Sequence, residues 1–330
     1  MTSSRKTEVL QLLRNSGDYV SGQQICETLG ISRTAVWKIM NQLKEEGYEI
    51  GAGQNKGYRL NGTPDVLSLA ELQSRVKTRM AGKELLYFDV IDSTNLEAKR
   101  RAEEGAPEGL LIVADKQVAG RGRRGRSWES PAGANIFMTL LLRPSYSADC
   151  VSMVTLVMAL SVAQAIEEVS KLPVRIKWPN DIVVNKKKVV GILTELTMEA
   201  DYVQYMVSGV GINVNQTSFP EEISATASSL YLEKGQKVNR ALLVQKSMEH
   251  FDENYEIFCR TDDMTGLIGA YNTLLVNREV AVRVLDPRGE YEGIAHGINE
   301  KGELIVEKED GSVENVYAGE VSVRGIYGYV

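Results

Sequence analysis

The chain is 330 residues long, 43% apolar and 25% charged, with a formal net charge of −6. Such a length predicts two or three domains, and an acidic whole excludes a general nucleic-acid binder. With only His250 and His296 present, neither in a motif, Ser–His–Asp, Cys–His and zinc-hydrolase chemistries are poor fits.

The opening Met1-Thr2-Ser3-Ser4-Arg5-Lys6 has no apolar stretch of the kind a signal peptide needs. Cys26, Cys150 and Cys259 lie far apart without metal-ligand spacing, which predicts free thiols in a reducing, cytoplasmic setting. Residues 1–60 carry eight Lys/Arg against six Asp/Glu, a local +2 that leaves −8 for the remainder.

From Ser3 to Asn15, Val9, Leu10, Leu12 and Leu13 make a helical stripe that ends near Gly17. Ser21, with Gln24 three residues on, predicts a capped second helix that stops at Gly30. Ser32 caps a third, in which Val36, Ile39, Met40 and Leu43 fall on one face before Gly47. Short helix, glycine turn, longer helix is the helix-turn-helix order. Tyr48-Glu49-Ile50 and Gly57-Tyr58-Arg59-Leu60, joined by a Gly/Asn-rich turn, predict a hairpin wing. The outer face of the third helix would offer Arg33, Thr34, Trp37, Lys38 and Asn41 to a major groove, with Ser32 and Gly22 completing the expected DNA-contact set. The competing reading is a winged module for protein contacts, and at +2 a DNA binder would need to act as a dimer.

Asn61-Gly62-Thr63-Pro64 reads as a linker, which sets domains at 1–62, 63–273 and 274–330. In the middle segment Leu85–Val90 reads as a strand, and Asp92-Ser93-Thr94-Asn95 as the start of a helix closed by Gly105 and Pro107. Leu110–Ala114 is an apolar strand leading into Gly120-Arg121-Gly122-Arg123-Arg124-Gly125-Arg126-Ser127-Trp128. This loop matches the G-x-G-x-x-G dinucleotide pattern in letters only. Pro131 and Gly133 stand where a helix should open, before a second apolar run, Ile136–Leu142. Its alternative readings are a solvated basic loop and a mobile loop that orders around a polyanion. Glycines that admit the backbone and fork-shaped donors for phosphate favour the second.

Val151 to Lys171 predicts a long buried helix. Strands are predicted at Val174–Trp178, Ile182–Val184, Val189–Leu196 and Val203–Val214, with a hairpin turn at Asn185-Lys186-Lys187, then a helix from Arg240 to Cys259. From Val276 the pattern changes to short strands. Val280, Val282 and Val284 alternate with other residues, and turns are expected at Asp286-Pro287-Arg288-Gly289, Asn299–Gly302 and Asp310-Gly311. About 55 residues of this kind predict a small SH3-type β domain.

Four stretches now belong together: Asp92 to Asn95, Gln117 with Gly120 to Trp128, Lys177-Trp178-Pro179-Asn180-Asp181, and Lys188 to Glu195, with Gly209-Val210-Gly211-Ile212-Asn213-Val214 behind them. Each alone has an ordinary reading as a helix cap, a turn or a surface lysine. In combination they closely resemble the biotin–protein ligases, and among them the bifunctional ligase/biotin operon repressors, over nearly the whole chain. The resemblance implies an α+β multidomain protein with an N-terminal winged helix-turn-helix, a central mixed α/β ligase domain and a C-terminal SH3-like β-barrel.

It also implies a two-step reaction in which ATP, with Mg²⁺, activates biotin as biotinyl-adenylate and a carrier-protein lysine then takes the biotinyl group. By position, Ser93, Thr94, Asn95, Gln117, Arg121, Gly122, Arg123 and Lys188 would contact biotin. Arg126, Trp128, Asn180, Asp181 and Arg324 would contact the adenylate, with Trp128 offering a face to the purine. Lys188 and Arg123 would offset charge developing at the carboxylate and α-phosphate. No resident cofactor or structural metal is implied. The implied partners are a biotin-carrier domain of a carboxylase, operator DNA and, with adenylate bound, a second copy of the chain, but no membrane. Rival readings are a lipoate-type protein ligase, a sensor without catalysis, and a ligase whose front domain does not bind DNA.

Overall fold

The computed structural model describes residues 4–53, 56–144, 150–199, 202–286, 289–318, 322–325 and 329–330. It divides into two compact units, Met1–Lys77 with Asn239–Gln245, and Thr78–Val238 with Lys246–Val330.

In the first unit three helices follow their caps. Helix α1 (Arg5–Ser16) starts where Ser4 Oγ accepts from Thr7 N, α2 (Gly22–Leu29) where Ser21 Oγ accepts from Gln24 N, and α3 (Arg33–Glu45) where Ser32 Oγ accepts from Ala35 N. Gly17 and Gly30 end the first two in the left-handed conformation. The expected stripes meet in one core: Val9, Leu10, Leu13, Ile25, Val36, Met40 and Leu43 are buried with Tyr48 and Ile50, while Leu12 and Ile39 pack at its edge. The wing is an antiparallel pair, β1 (Glu49–Gly53) and β2 (Gly57–Gly62), joined by Val20 opposite Tyr58. Residues 54 and 55 of the expected wing turn, and Ser3 at the expected helix start, lie outside the described residues.

The stretch read as a linker is built into this unit. Gly62 closes β2 opposite Glu49, and Thr63 Oγ1 accepts from Arg75 at 3.0 Å. Helix α4 (Leu69–Arg75) then brings Glu71, 0% exposed, against α1. Its carboxylate accepts from Arg14 at 3.0 Å, Arg75 at 2.5 Å and the Tyr48 hydroxyl at 2.8 Å. A buried carboxylate demands such partners, so the compact unit continues past residue 62 to Lys77.

The second unit holds a seven-stranded sheet in the order β3-β4-β5-β9-β8-β7-β6. Its strands are β3 (Glu84–Phe88), β4 (Leu110–Ala114), β5 (Ile136–Leu142), β6 (Val174–Lys177), β7 (Asp181–Val184), β8 (Lys187–Glu199) and β9 (Tyr202–Ile212). Only β3 and β4 run parallel, and α5 (Thr94–Glu103) connects them. Helix α5 packs on β4, β5 and β9, and the apolar helix α6 (Val151–Ser170) packs on β6, β7 and β8. Most of α6 is buried, as its composition requires. Asn185 and Lys186, both at positive φ, make the tight β7–β8 turn that the sequence signals.

Short helices α7 (Glu221–Ser224) and α8 (Leu230–Lys234) precede α9 (Arg240–Phe258) and α10 (Ile268–Leu274). The last sheet, order β13-β12-β11-β10-β14, is wholly antiparallel: β10 (Val280–Asp286), β11 (Gly289–Ile298), β12 (Leu304–Lys308), β13 (Val313–Val316) and β14 (Ser322–Gly325). Val282, Val284, Ala295, Leu304, Val306 and Val323 form its buried side. Val280, the first residue of its strand, shares their parity yet is 42% exposed. Pro287 and Arg288 of the expected turn lie outside the described residues.

Candidate active site

One end of the site is built where α5 begins. Ser93 occupies the N-cap position but makes no side-chain cap bond, so helix capping is not what its hydroxyl does. Thr94 donates from both its N–H (2.8 Å) and its Oγ1 (3.0 Å) to Gln117 Oε1. Thr139, in the middle of the apolar strand β5, places its hydroxyl 2.8 Å from Thr94 Oγ1 and 2.7 Å from Asn95 Oδ1. Asn95 Nδ2 donates to Glu195 Oε2 at 2.8 Å, and Lys99 pairs with the other oxygen at 2.7 Å. Burial alone would raise the Glu195 pKa. Hydrogen bonds from Lys99 and Asn95 more than offset it, and hold the carboxyl below its usual range. The result is a buried, mutually oriented set of amides and hydroxyls.

The arginine loop closes on itself. Trp128 N donates to Gly120 O at 3.0 Å and Gly122 N to Arg126 O at 2.7 Å, around a single 3₁₀ turn at Arg123–Gly125. No α-helix opens here, so the dinucleotide-type geometry is absent, as Pro131 and Gly133 foretell. Arg121, Arg124 and Arg126 are exposed. Arg123 turns inward and donates to Asn180 Oδ1 at 2.9 Å, while Asn180 Nδ2 donates to Ile192 O at 3.0 Å. Burial pulls the Arg123 pKa below its ordinary value, with Asp181 acting the other way.

Trp128 lies against the paired strands β8 and β9 at Gly191 and Gly211. At both, an added Cβ would come within 2.6 Å of the indole. Its ring is 5.3 Å from Lys188 Nζ, and its buried Nε1 has no hydrogen-bond partner among the described residues. Lys188 Nζ in turn lies 2.6 Å from Asp181 Oδ1. Lys177 is 5% exposed, and burial pushes its pKa down to about 8. Trp178 of the same motif is no site residue: it is 2% exposed and donates to Gly302 O at 3.1 Å.

All the residues assigned by resemblance to biotin and adenylate, from Ser93 to Arg324, line one cleft of about 740 Å³. Its walls carry eight Lys/Arg against four Asp/Glu, within a chain whose net charge is −6. The cleft can therefore seat a molecule that is neutral and polar at one end and polyanionic at the other. Lys99, Thr139, Glu195, Lys177 and Tyr329 stand at or beside the cleft in addition to the residues assigned by resemblance. Lys99 had a signal, one helical turn beyond Asn95, and Thr139 had one as the lone hydroxyl in an apolar strand. Tyr329 had none. Among the described residues no group of three or more His, Cys, Asp or Glu is placed to hold a metal ion. His250 and His296 pair with surface glutamates outside the cleft.

In the first unit Arg33, Thr34, Trp37 and Lys38 are exposed together on α3, Trp37 by 58%, with Asn41 half-buried. Ser32 Oγ caps the helix and Gly22 packs beside Tyr58, while Arg33 donates to Gln23 at 2.8 Å. On the wing, Lys56 and Arg59 lie over the Tyr19 ring, 5.9 and 5.0 Å from its centre.

Residues 87–213 match the biotin/lipoate A/B protein ligase family, residues 5–59 an HTH domain family, and residues 277–324 the biotin protein ligase C-terminal domain. The chain is 40% identical to the bifunctional ligase/repressor BirA of Bacillus spizizenii over 98% of its own length and all of that protein's. It is 31% identical to the Escherichia coli protein of the same name, over 96% of each. Among solved structures it is similar to the biotin protein ligase of Aquifex aeolicus in complex with biotin and ATP. That match has a TM-score of 0.66 and 33% identity, and covers 74% of this chain and 99% of the other.

Proposed function

The chain belongs to the bifunctional ligase/repressor family, with a central domain of the biotin/lipoate A/B protein ligase type, and from that premise we propose that it joins biotin to a carrier-protein lysine and represses transcription in response to the intermediate. The observation that carries the catalytic half is a cleft with a charge-balanced hydrogen-bonding end, where Lys99 pairs with Glu195, and a cationic end.

At the charge-balanced end, Ser93, Thr94, Asn95 and Gln117 hold the ureido ring, and at the cationic end Arg121, Gly122 and Arg123 close over the carboxylate. ATP arrives with Mg²⁺ as one substrate complex. Biotin's carboxylate oxygen attacks the α-phosphorus, a new O–P bond forms and pyrophosphate leaves. The acceptor lysine's neutral amine then attacks the acyl carbon, an amide C–N bond forms, the C–O bond to phosphate breaks, AMP departs and the nitrogen gives up a proton to solvent. Neither step uses a protein nucleophile. Lys188 and Arg123 lower the barrier by offsetting charge that grows on the phosphate oxygens, and the cleft supplies proximity. Arg126, Trp128, Asn180, Asp181 and Arg324 hold the nucleotide. Cys26, Cys150 and Cys259 form no disulfide among the described residues, which supports a reducing, cytoplasmic location.

The regulatory half rests on the exposed face of α3, where Arg33, Thr34, Trp37, Lys38 and Asn41 meet operator DNA in an adenylate-bound dimer. The test is biotin-dependent exchange of pyrophosphate into ATP, run beside lipoate. Exchange with biotin and none with lipoate is expected. Absence of exchange with biotin defeats the reading, and exchange driven by lipoate instead reassigns the substrate.

A further inference from the structure

Asp181, the first residue of β7, is gripped from two sides. Lys188 Nζ lies 2.6 Å from its Oδ1, and the hydroxyl of Tyr329 donates to its Oδ2. The Tyr329 ring also covers Lys177, whose Nζ is 3.6 Å from the ring centre. Tyr329 thus makes two contacts of different chemistry, one through its hydroxyl and one through its π face, and both reach the cationic end of the cleft. Burial and the neighbouring carboxylate push its pKa far up, so its proton stays in place as a donor.

The pairing poses a problem for catalysis. A lysine in close contact with a carboxylate has its charge largely cancelled. To meet an incoming carboxylate or phosphate oxygen, Lys188 must turn from Asp181, whose side chain is only 13% exposed. A carboxylate so placed pays heavily for losing its partner unless another donor remains. Tyr329 is that donor.

We propose that Tyr329 is a positioning residue for adenylate formation, holding Asp181 in place while Lys188 exchanges it for the substrate's anionic oxygens. The inference rests on the ligase reading, with Lys188 as the catalytic cation. Without the hydroxyl, Asp181 has fewer donors and grips Lys188 more tightly. Chemistry then slows while the biotin pocket around Thr94 and Asn95 is untouched.

The experiment compares single-turnover pyrophosphate release and calorimetric biotin affinity in the full chain and its variants. Tyr329→Phe keeps the ring over Lys177 and removes only the hydroxyl. It should slow adenylation by about tenfold, the scale of one hydrogen bond to a charged group, with biotin Kd within twofold and an unchanged thermal midpoint. In an Asp181→Asn background, where Lys188 has no carboxylate to leave, the same substitution should have no further effect. An unaltered rate in Tyr329→Phe, or an equal loss in both backgrounds, overturns the proposal. A wild-type chain without biotin-dependent pyrophosphate release instead overturns the ligase reading itself, so the two failures are told apart.

Discussion

Asn95 and Gly209 touch so closely that a Cβ on Gly209 would sit 2.0 Å from Asn95 Oδ1. The glycine of β9 leaves room for the amide beside the strand, where Glu195 and Leu193 O fix its Nδ2. Gly209→Ala should therefore displace Asn95. Overpacking of this kind costs about 1–3 kcal/mol, so biotin affinity should fall roughly tenfold or more. Calorimetry with biotin alone checks this, and a Kd within twofold of wild type would remove Asn95 from the pocket.

Lys188→Ala should lower adenylate formation by about 10²–10³-fold, the usual loss for one preorganised donor of charge stabilisation. The cation's place beside Asp181 and the Trp128 ring motivates the assignment. Single-turnover pyrophosphate release within threefold of wild type would sink it.

Lys177 carries a pH signature. Its folded pKa of about 8 lies below the ordinary 10.5, mainly through burial. Below about 8 it is protonated both folded and unfolded, and the buried charge is a full cost. Between about 8 and 10.5 the unfolded chain binds more protons, so stability rises with pH and the cost fades. Lys177→Met should thus melt above wild type at pH 7, and the gap should shrink at pH 9.5. A gap that is constant or widens across that range contradicts a depressed lysine.

The second unit's motifs were legible because their residue types are unusual for their settings: an arginine run broken by glycines, a polar pair after Trp178-Pro179, a lysine leading a buried strand. Periodicity and caps placed α1, α2, α3, the wing and α6. What stayed hidden needed the third dimension. Thr139 meets Asn95 from 44 positions away, and Tyr329 meets Asp181 from 148 away. The segment at Asn61-Gly62-Thr63-Pro64 misled because linker composition also suits the end of a paired strand. The pairing of Gly62 with Glu49, the bond from Arg75 to Thr63 and the burial of Glu71 keep the chain in the first unit.

Glu71 yields a stability prediction. Its buried carboxylate satisfies Arg14, Arg75 and Tyr48 together. Glu71→Ala strips three donors of their acceptor inside a core, and breaking a buried pair costs about 3–5 kcal/mol. The first unit should then unfold well below wild type in differential scanning calorimetry and lose DNA binding, with adenylation in the cleft retained. An unshifted transition would show the cluster to be dispensable.

The last prediction concerns regulation. A helix-turn-helix front with net +2 neutralises few phosphates, so a monomer should bind DNA weakly at physiological salt. A two-fold dimer places two copies of α3 on a palindromic site and doubles the contacts. If adenylate orders the arginine loop, it removes an entropic cost of dimerisation and tightens DNA binding by linkage. Carrier protein lacking biotin would consume the adenylate and relieve repression. Specific DNA affinity should therefore rise at least tenfold, on the coupling scale of about 1–3 kcal/mol, with biotin plus ATP, in step with dimer formation in sedimentation. Arg33→Ala, Trp37→Ala and Lys38→Ala combined should abolish that binding. All three side chains are exposed, so the fold and ligation should survive. DNA affinity that ignores the adenylate across a range of salt would end the regulatory half of the proposal and leave the ligase half standing.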